Sequence, residues 1–198
     1  MSTAVVRPAS LETPWSLPYK GQIGMLCLIA AESSIFTIFV VAYIFYIGKS
    51  LTGPTPREIL EVPIFATICL LSSSLTIHAA VGALRKGNLA MFRLLWFITL
   101  ALGAIFLFKT GSEWQRLIYE KNFTISTNLF GTTYYSLVGL HASHVTVGLV
   151  GLLTVLLLAL PGRVRQEHVH NVDTFALYWH FVDAVWVVVF TVVYVVGR

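Results

Sequence analysis

DTFALYWHFVDAVWVVVFTVVYVV, residues 173–196, is an apolar run long enough to cross a bilayer as one helix. Within it His180 and Asp183 stand three residues apart and so share a helix face. An ionisable pair at that depth is costly, which marks it as a functional site or a polar network rather than filler. Tyr178, Trp179 and Trp186 surround the pair and make the string specific rather than merely greasy.

Working outward, four further apolar runs cover residues 22–47, 63–84, 91–109 and 129–160. Each is long enough to span, and the fourth exceeds one crossing, so it tilts or protrudes. Backbone groups in lipid must bond within their own segment, which leaves helices as the spanning form. Barrel strands would be about ten residues long and alternating, unlike these runs. The composition agrees: 57% of the 198 residues are hydrophobic and 11% are charged, against about a quarter charged in a soluble domain. The expected fold is all-α, a polytopic membrane bundle of five transmembrane helices over 22–198, preceded by a cytoplasmic segment over 1–21.

The net charge of +4 is spread along the chain. No basic block is long enough to grip nucleic acid, so no nucleic-acid partner is expected. Cys27 and Cys69 fall inside apolar runs and read as small core residues rather than a disulfide. Pro8, Pro14 and Pro18 break the N-terminal stretch, and no cleavage site follows the first run, so no signal peptide is expected. The connections are short, with turns at Gly53-Pro54, Gly87-Asn88 and Pro161-Gly162. Internal repeats are not evident, which counts against a transporter built from two halves. Arg85, Lys86, Arg163 and Arg165 hug helix ends in short connections. The positive-inside rule then places the N-terminus in the cytoplasm and the C-terminus outside.

Polar groups inside the spans are the candidate site. Glu32 falls roughly 15 Å into the first helix, with no cation one turn away. It is protonated or paired with another helix, either as a proton-handling acid or as a neutral packing acid. His141 and His144 share a face about 18 Å into the fourth run. They could ligate a metal or haem with help from His78 or His180, or hydrogen-bond between helices to Asp183 or Glu32. Gly139 and Ser143 would allow close helix approach beside them, and Ser72, Thr76 and Ala80 form a packing stripe on the second helix. His180 and Asp183 could orient each other. Asp173 is positioned to cap the last helix. His168 and His170 read as solvated loop imidazoles. Trp15, Trp96, Trp114, Tyr119, Tyr134, Tyr135, Tyr178 and Trp179 are expected near the two interfaces as aromatic belts.

Several strings together resemble one family. Tyr178-Trp179-His180-Phe181-Val182-Asp183, Gly139-Leu140-His141-Ala142-Ser143-His144-Val145, Phe123-Thr124-Ile125-Ser126 with Gly131-Thr132-Thr133-Tyr134-Tyr135, Ser112-Glu113-Trp114 and Ala31-Glu32-Ser33-Ser34-Ile35-Phe36 occur in order. They are similar to the motifs of subunit III of the haem-copper oxidases, the cytochrome c and quinol oxidase group, from about residue 22 to the C-terminus.

The resemblance implies an accessory subunit that carries no redox cofactor. The haems and copper would sit in partner subunits I and II, with subunit I the direct neighbour. It also implies bound phospholipid, support of proton uptake, and protection of the active site during turnover. Glu32 would be the family's carbodiimide-sensitive carboxylate. Glu113, His141, His144, Asp173, His180 and Asp183 fall on matching polar positions, and Arg163, Arg165 and His168 are candidate contacts for lipid headgroups. Larger members have seven helices, and the runs here correspond to the last five. Asp173 replaces the usual Glu, and His168-Val169-His170 replaces adjacent histidines. The short form implies a bacterial plasma membrane. Subunit III of a quinol oxidase, or an accessory protein of nitric oxide reductase, is the near alternative. A haem b anchor using His78, His141, His144 and His180, or a carrier built on Glu32 and Asp183, would be the more distant ones.

Overall fold

The computed structural model describes residues 20–50 and 53–197. Most of the expected N-terminal segment, including Trp15, therefore lies outside the described residues. Five helices are long and apolar enough to cross a membrane. They are α1 (Lys20–Tyr46), α3 (Ile64–Arg85), α4 (Leu89–Tyr119), α5 (Leu129–Ala159) and α6 (Val169–Phe190). A short α2 (Pro56–Ile59) sits in the first connection, a 3-10 turn (Gln166–His168) leads into α6, and a π-helical segment (Thr191–Val196) continues it.

The helix ends follow from local chemistry. Thr55 starts α2 with its amide donating to Glu58 Oε2 at 2.9 Å, and Pro56 fills the first helical position, where no amide is needed. Asn88 Oδ1 accepts the Met91 amide at 3.1 Å, and Asn128 Oδ1 accepts the Gly131 amide at 2.8 Å, so asparagines open α4 and α5. Gly87, at φ +74°, allows the tight reversal between α3 and α4. That turn makes α3 and α4 a closely packed antiparallel pair. α5 packs on α4, α1 and α6, and α6 packs on α3, α5 and α1. The start of α1, the α3–α4 turn and the α5–α6 connection share one end of the bundle, hereafter the Arg85 end.

Large apolar side chains cover the outside. Leu75 and Phe108 are each 74% exposed, and α1 buries only Phe36 and Tyr43 among its own residues. A helix apolar all round has no stable place in water, so this outer surface belongs in lipid or against another apolar protein. The chain is a multi-pass membrane protein.

Three sequence expectations are corrected here. The third span does not stop at Lys109: α4 continues to Tyr119 and carries Ser112, Glu113 and Trp114 on its last turns instead of in a loop. The apolar run ends at Lys109, but charged and polar residues can continue a helix. The last helix begins at Val169, four residues before Asp173, because the 3-10 turn winds directly into it. His168, not Asp173, occupies its N-cap. Trp96, Trp179 and Tyr134 are fully buried rather than belted at the interfaces. Trp96 Nε1 donates to the Leu152 carbonyl at 2.9 Å and Trp179 Nε1 to Ser73 Oγ at 2.9 Å, so each indole is satisfied inside the core.

The close helix approaches lie elsewhere than expected. A Cβ added to Gly148 would meet the Trp179 ring at 2.6 Å, and one on Gly103 would meet it at 2.8 Å. Gly151 gives the same clearance to Phe175 at 2.3 Å. Gly139 merely borders Trp114, and Ser143 is exposed, with its hydroxyl donating to Leu140 O. The Ser72–Thr76–Ala80 stripe does face inward at Thr76, whose hydroxyl meets Thr99 Oγ1 of α4 at 2.7 Å. Cys69 is buried as expected, but Cys27 is exposed on α1.

Candidate functional site

Glu32 and His144 meet across the α1–α5 contact. His144 Nε2 lies 3.0 Å from Glu32 Oε2, and the two side chains are 15% and 23% exposed. His144 Nδ1 lies 2.8 Å from the carbonyl of Leu140. A carbonyl can only accept, so Nδ1 carries a proton. Nε2 then either accepts a proton from a neutral Glu32 or donates as an imidazolium to a carboxylate. Both forms are net neutral and hold one proton between the two side chains. Removing it would set a nitrogen lone pair against a carboxylate. Phe36 packs its ring 4.9 Å from the His144 ring and shields one side, and Tyr178 OH donates to the His144 carbonyl at 3.1 Å. Net charge inside an apolar span is costly, and either form of the pair avoids it.

His141, on the same face of α5 by spacing, makes no such bond. Its side chain is fully buried, and neither ring nitrogen has a hydrogen-bond partner. Aromatic rings enclose it: Trp186 at 5.0 Å, Phe106 at 5.8 Å and Phe36 at 6.5 Å between centroids. His180 and Asp183 do not orient each other. His180 Nδ1 pairs with Ser74 Oγ of α3 at 2.6 Å. Asp183 is 3% exposed, and neither carboxylate oxygen has a hydrogen-bond partner within range, although Ser74 lies within electrostatic reach. The His180–Asp183 pairing expected along one helix is replaced, for His180, by Ser74 of α3, whereas the inter-helix bond expected between the His141/His144 pair and Glu32 forms at His144. Spacing shows which face a residue shares, whereas helix register decides what that face meets.

The polar groups at the helix ends are also paired. Arg85 Nη2 donates to Asp173 Oδ2 at 2.8 Å, and Gln166 Nε2 donates to the Arg85 carbonyl at 2.6 Å, tying the α3–α4 turn to the start of α6. At the opposite end Arg116 donates to Glu113 at 2.7 Å and to Glu61. Sequence reading missed Glu61 and Arg116, although Arg116 stands one turn after Glu113. Arg163 and His168 border a cavity of about 350 Å³ floored by Val155, Leu158, Val164 and Val172. Arg165 is exposed beside it and donates its amide to His168 Nδ1 at 3.2 Å.

Among the described residues no three His, Cys, Asp or Glu side chains converge as a metal cage would require. Both His144 nitrogens are engaged, and His141 is walled in by rings. What remains is a proton-holding pair at mid-span and separate polar clusters near the two ends.

Comparison with known proteins agrees with the motif resemblance. The family model described as cytochrome c oxidase subunit III matches residues 19–198. Cytochrome c oxidase subunit 3 of Alkalihalophilus pseudofirmus is 33% identical over 177 residues, 88% of this chain and 86% of that protein. The subunit 3 of Bacillus sp. (strain PS3) is 33% identical over 201 residues, 98% of this chain and 95% of that protein. That of Synechocystis sp. is 37% identical over 181 residues, 89% of this chain and 76% of that protein. An end-to-end match of this kind, on a five-helix membrane bundle, means that the chain belongs to the cytochrome c oxidase subunit III family, the accessory subunits of multi-subunit haem-copper oxidase complexes.

Proposed function

We propose that this chain is the cofactor-free accessory subunit of a proton-pumping terminal oxidase that reduces oxygen to water with electrons from cytochrome c. It packs directly against subunit I, and the haems and copper stay in subunits I and II. The observation that carries this reading is the Glu32–His144 pair, 3.0 Å apart at mid-span and sharing one proton. A membrane-embedded pair of that kind is net neutral while it holds one proton, so a proton can leave it without bare charge in lipid only as another arrives. It joins α1 to α5, so the same contact supports local proton balance and holds the bundle together. Its residual exposure, 15% and 23%, leaves it open to a neighbouring subunit.

Bound phospholipid fits the cavity beside Arg163 and His168. The Arg163 guanidinium together with an apolar lining suits a phosphate headgroup and its acyl chains. Arg85, Lys86, Arg163 and Arg165 share this end of the bundle, and the positive-inside rule supports a cytoplasmic side for it and for the N-terminus in a bacterial plasma membrane.

The test is to tag the chain, solubilise membranes in mild detergent and identify what co-purifies. A large histidine-rich haem protein together with a copper-binding second subunit is the expected result. A second subunit without copper ligands would assign the chain to a quinol oxidase instead. A chain recovered alone, with a haem band of its own in the reduced-minus-oxidised spectrum, would contradict the accessory reading.

A further inference from the structure

We propose that Tyr178 is a positioning residue for the Glu32–His144 pair: from α6 it fixes the register in which α1 and α5 bring the two side chains together. This role presupposes the reading of that pair as the proton-holding site.

Nothing local makes the pair form, since its members are 112 positions apart and sit on different helices. Within α5, His144 Nδ1 is held by the Leu140 carbonyl. That bond orients the ring but travels with the helix, so it cannot set the distance to α1. An axial slip of two residues, about 3 Å, would break the 3.0 Å bond to Glu32.

α6 supplies the missing constraint. The Tyr178 hydroxyl donates to the His144 carbonyl at 3.1 Å, so α6 grips α5 at the backbone of the residue that bears the imidazole. In a helix, the side chain four residues on lies over the turn that carries such a carbonyl. Here that residue is Gly148. A Cβ on it would come within 2.6 Å of the Trp179 ring and 3.4 Å of Tyr178 Cε1. The missing side chain therefore opens the His144 carbonyl to Tyr178 and lets the Tyr178–Trp179 step lie against the α5 backbone.

Three residues along α6, Phe181 packs on Phe36 with ring centroids 6.4 Å apart. Phe36 stands one turn after Glu32 on α1 and covers the His144 ring at 4.9 Å. Tyr178 and Phe181 share one face of α6 by spacing. That face touches both helices that carry the pair, α5 at His144 and α1 one turn from Glu32. The Tyr178 hydroxyl is bonded to a carbonyl rather than to the imidazole or the carboxyl, so it acts through the placement of His144 and not on the proton.

The test times labelling of Glu32 by a hydrophobic carbodiimide, read by mass spectrometry on the purified complex. His144→Leu releases the acid and should speed labelling about tenfold. Tyr178→Phe keeps the ring and removes the hydroxyl. It should leave the subunits assembled and speed labelling about fivefold, the scale of one net hydrogen bond. In the His144→Leu background Tyr178→Phe should change the rate no further, because a residue that acts through His144 has nothing left to act on. A lowered unfolding midpoint with an unchanged labelling rate would make Tyr178 a packing residue and overturn the proposal, as would equal acceleration in both backgrounds. If the Tyr178→Phe complex does not assemble, Phe181→Leu, which thins the contact on Phe36, should speed labelling in the same way, and an unchanged rate there also overturns the proposal. An unchanged rate in His144→Leu is a separate failure, which removes the reading of the pair and this role with it.

Discussion

His144 is held at both ring nitrogens, by the Leu140 carbonyl at 2.8 Å and by Glu32 Oε2 at 3.0 Å, so one side chain of α5 ties its own helix to α1 near mid-span. Glu32→Gln can replace this bond with an amide donor at little cost to stability, but it removes the acid. The variant should assemble normally and lose labelling by a hydrophobic carbodiimide. His144→Leu removes the partner and leaves the carboxyl alone, which costs about 1–3 kcal/mol. Thermal unfolding of the purified complex, read with mass-spectrometric labelling, checks both.

Gly148 leaves the space that the Trp179 ring fills, and an added Cβ would come within 2.6 Å of it. Gly148→Val should destabilise the bundle by about 1–3 kcal/mol or more, as overpacking does. Gly24→Ala, where nothing lies within 4 Å, serves as the control and should leave stability unchanged or slightly raised. Midpoints of thermal unfolding in detergent distinguish the two.

These glycines also show where sequence reading reached its limit. The five spans were legible because a run of some twenty apolar residues has no other stable use. Glu32, His141, His144, His180 and Asp183 stood out because charged and polar groups are rare in such runs. Their partners were legible only in part: a bond from the His141/His144 pair to Glu32 or Asp183 was among the alternatives, and Ser74 was not. Ser74 meets His180 across 106 positions of sequence, and His144 meets Glu32 across 112, so helix register alone brings them together. Trp179 looked like a belt residue until Gly148 and Gly103 placed it inside the core. The end of α4 was hidden because Lys109, Glu113 and Arg116 end the apolar run without ending the helix.

Asp173 and Arg85 form an ion pair at 2.8 Å, with side chains 32% and 57% exposed. Solvated pairs of this kind contribute about 0–1 kcal/mol. Asp173→Asn should therefore leave the unfolding midpoint nearly unchanged, and what little it costs should vanish at high salt. A loss well above that range, measured by unfolding at low and high ionic strength, would mean that the Arg85–Asp173–Gln166 cluster acts as a unit.

Arg163 and His168 border the cavity assigned to a phospholipid headgroup. Arg163→Gln combined with His168→Gln should reduce the number of phospholipids retained on the complex in native mass spectrometry, while leaving the subunits together. Unchanged lipid retention would move that headgroup elsewhere.

The central claim is that this chain serves a catalyst held by its neighbours. The most direct measurement follows oxygen consumption over many turnovers by the purified oxidase with and without the chain. The account predicts the same initial rate, followed by progressive loss of activity only where the chain is missing. Equal endurance in the two preparations would contradict it.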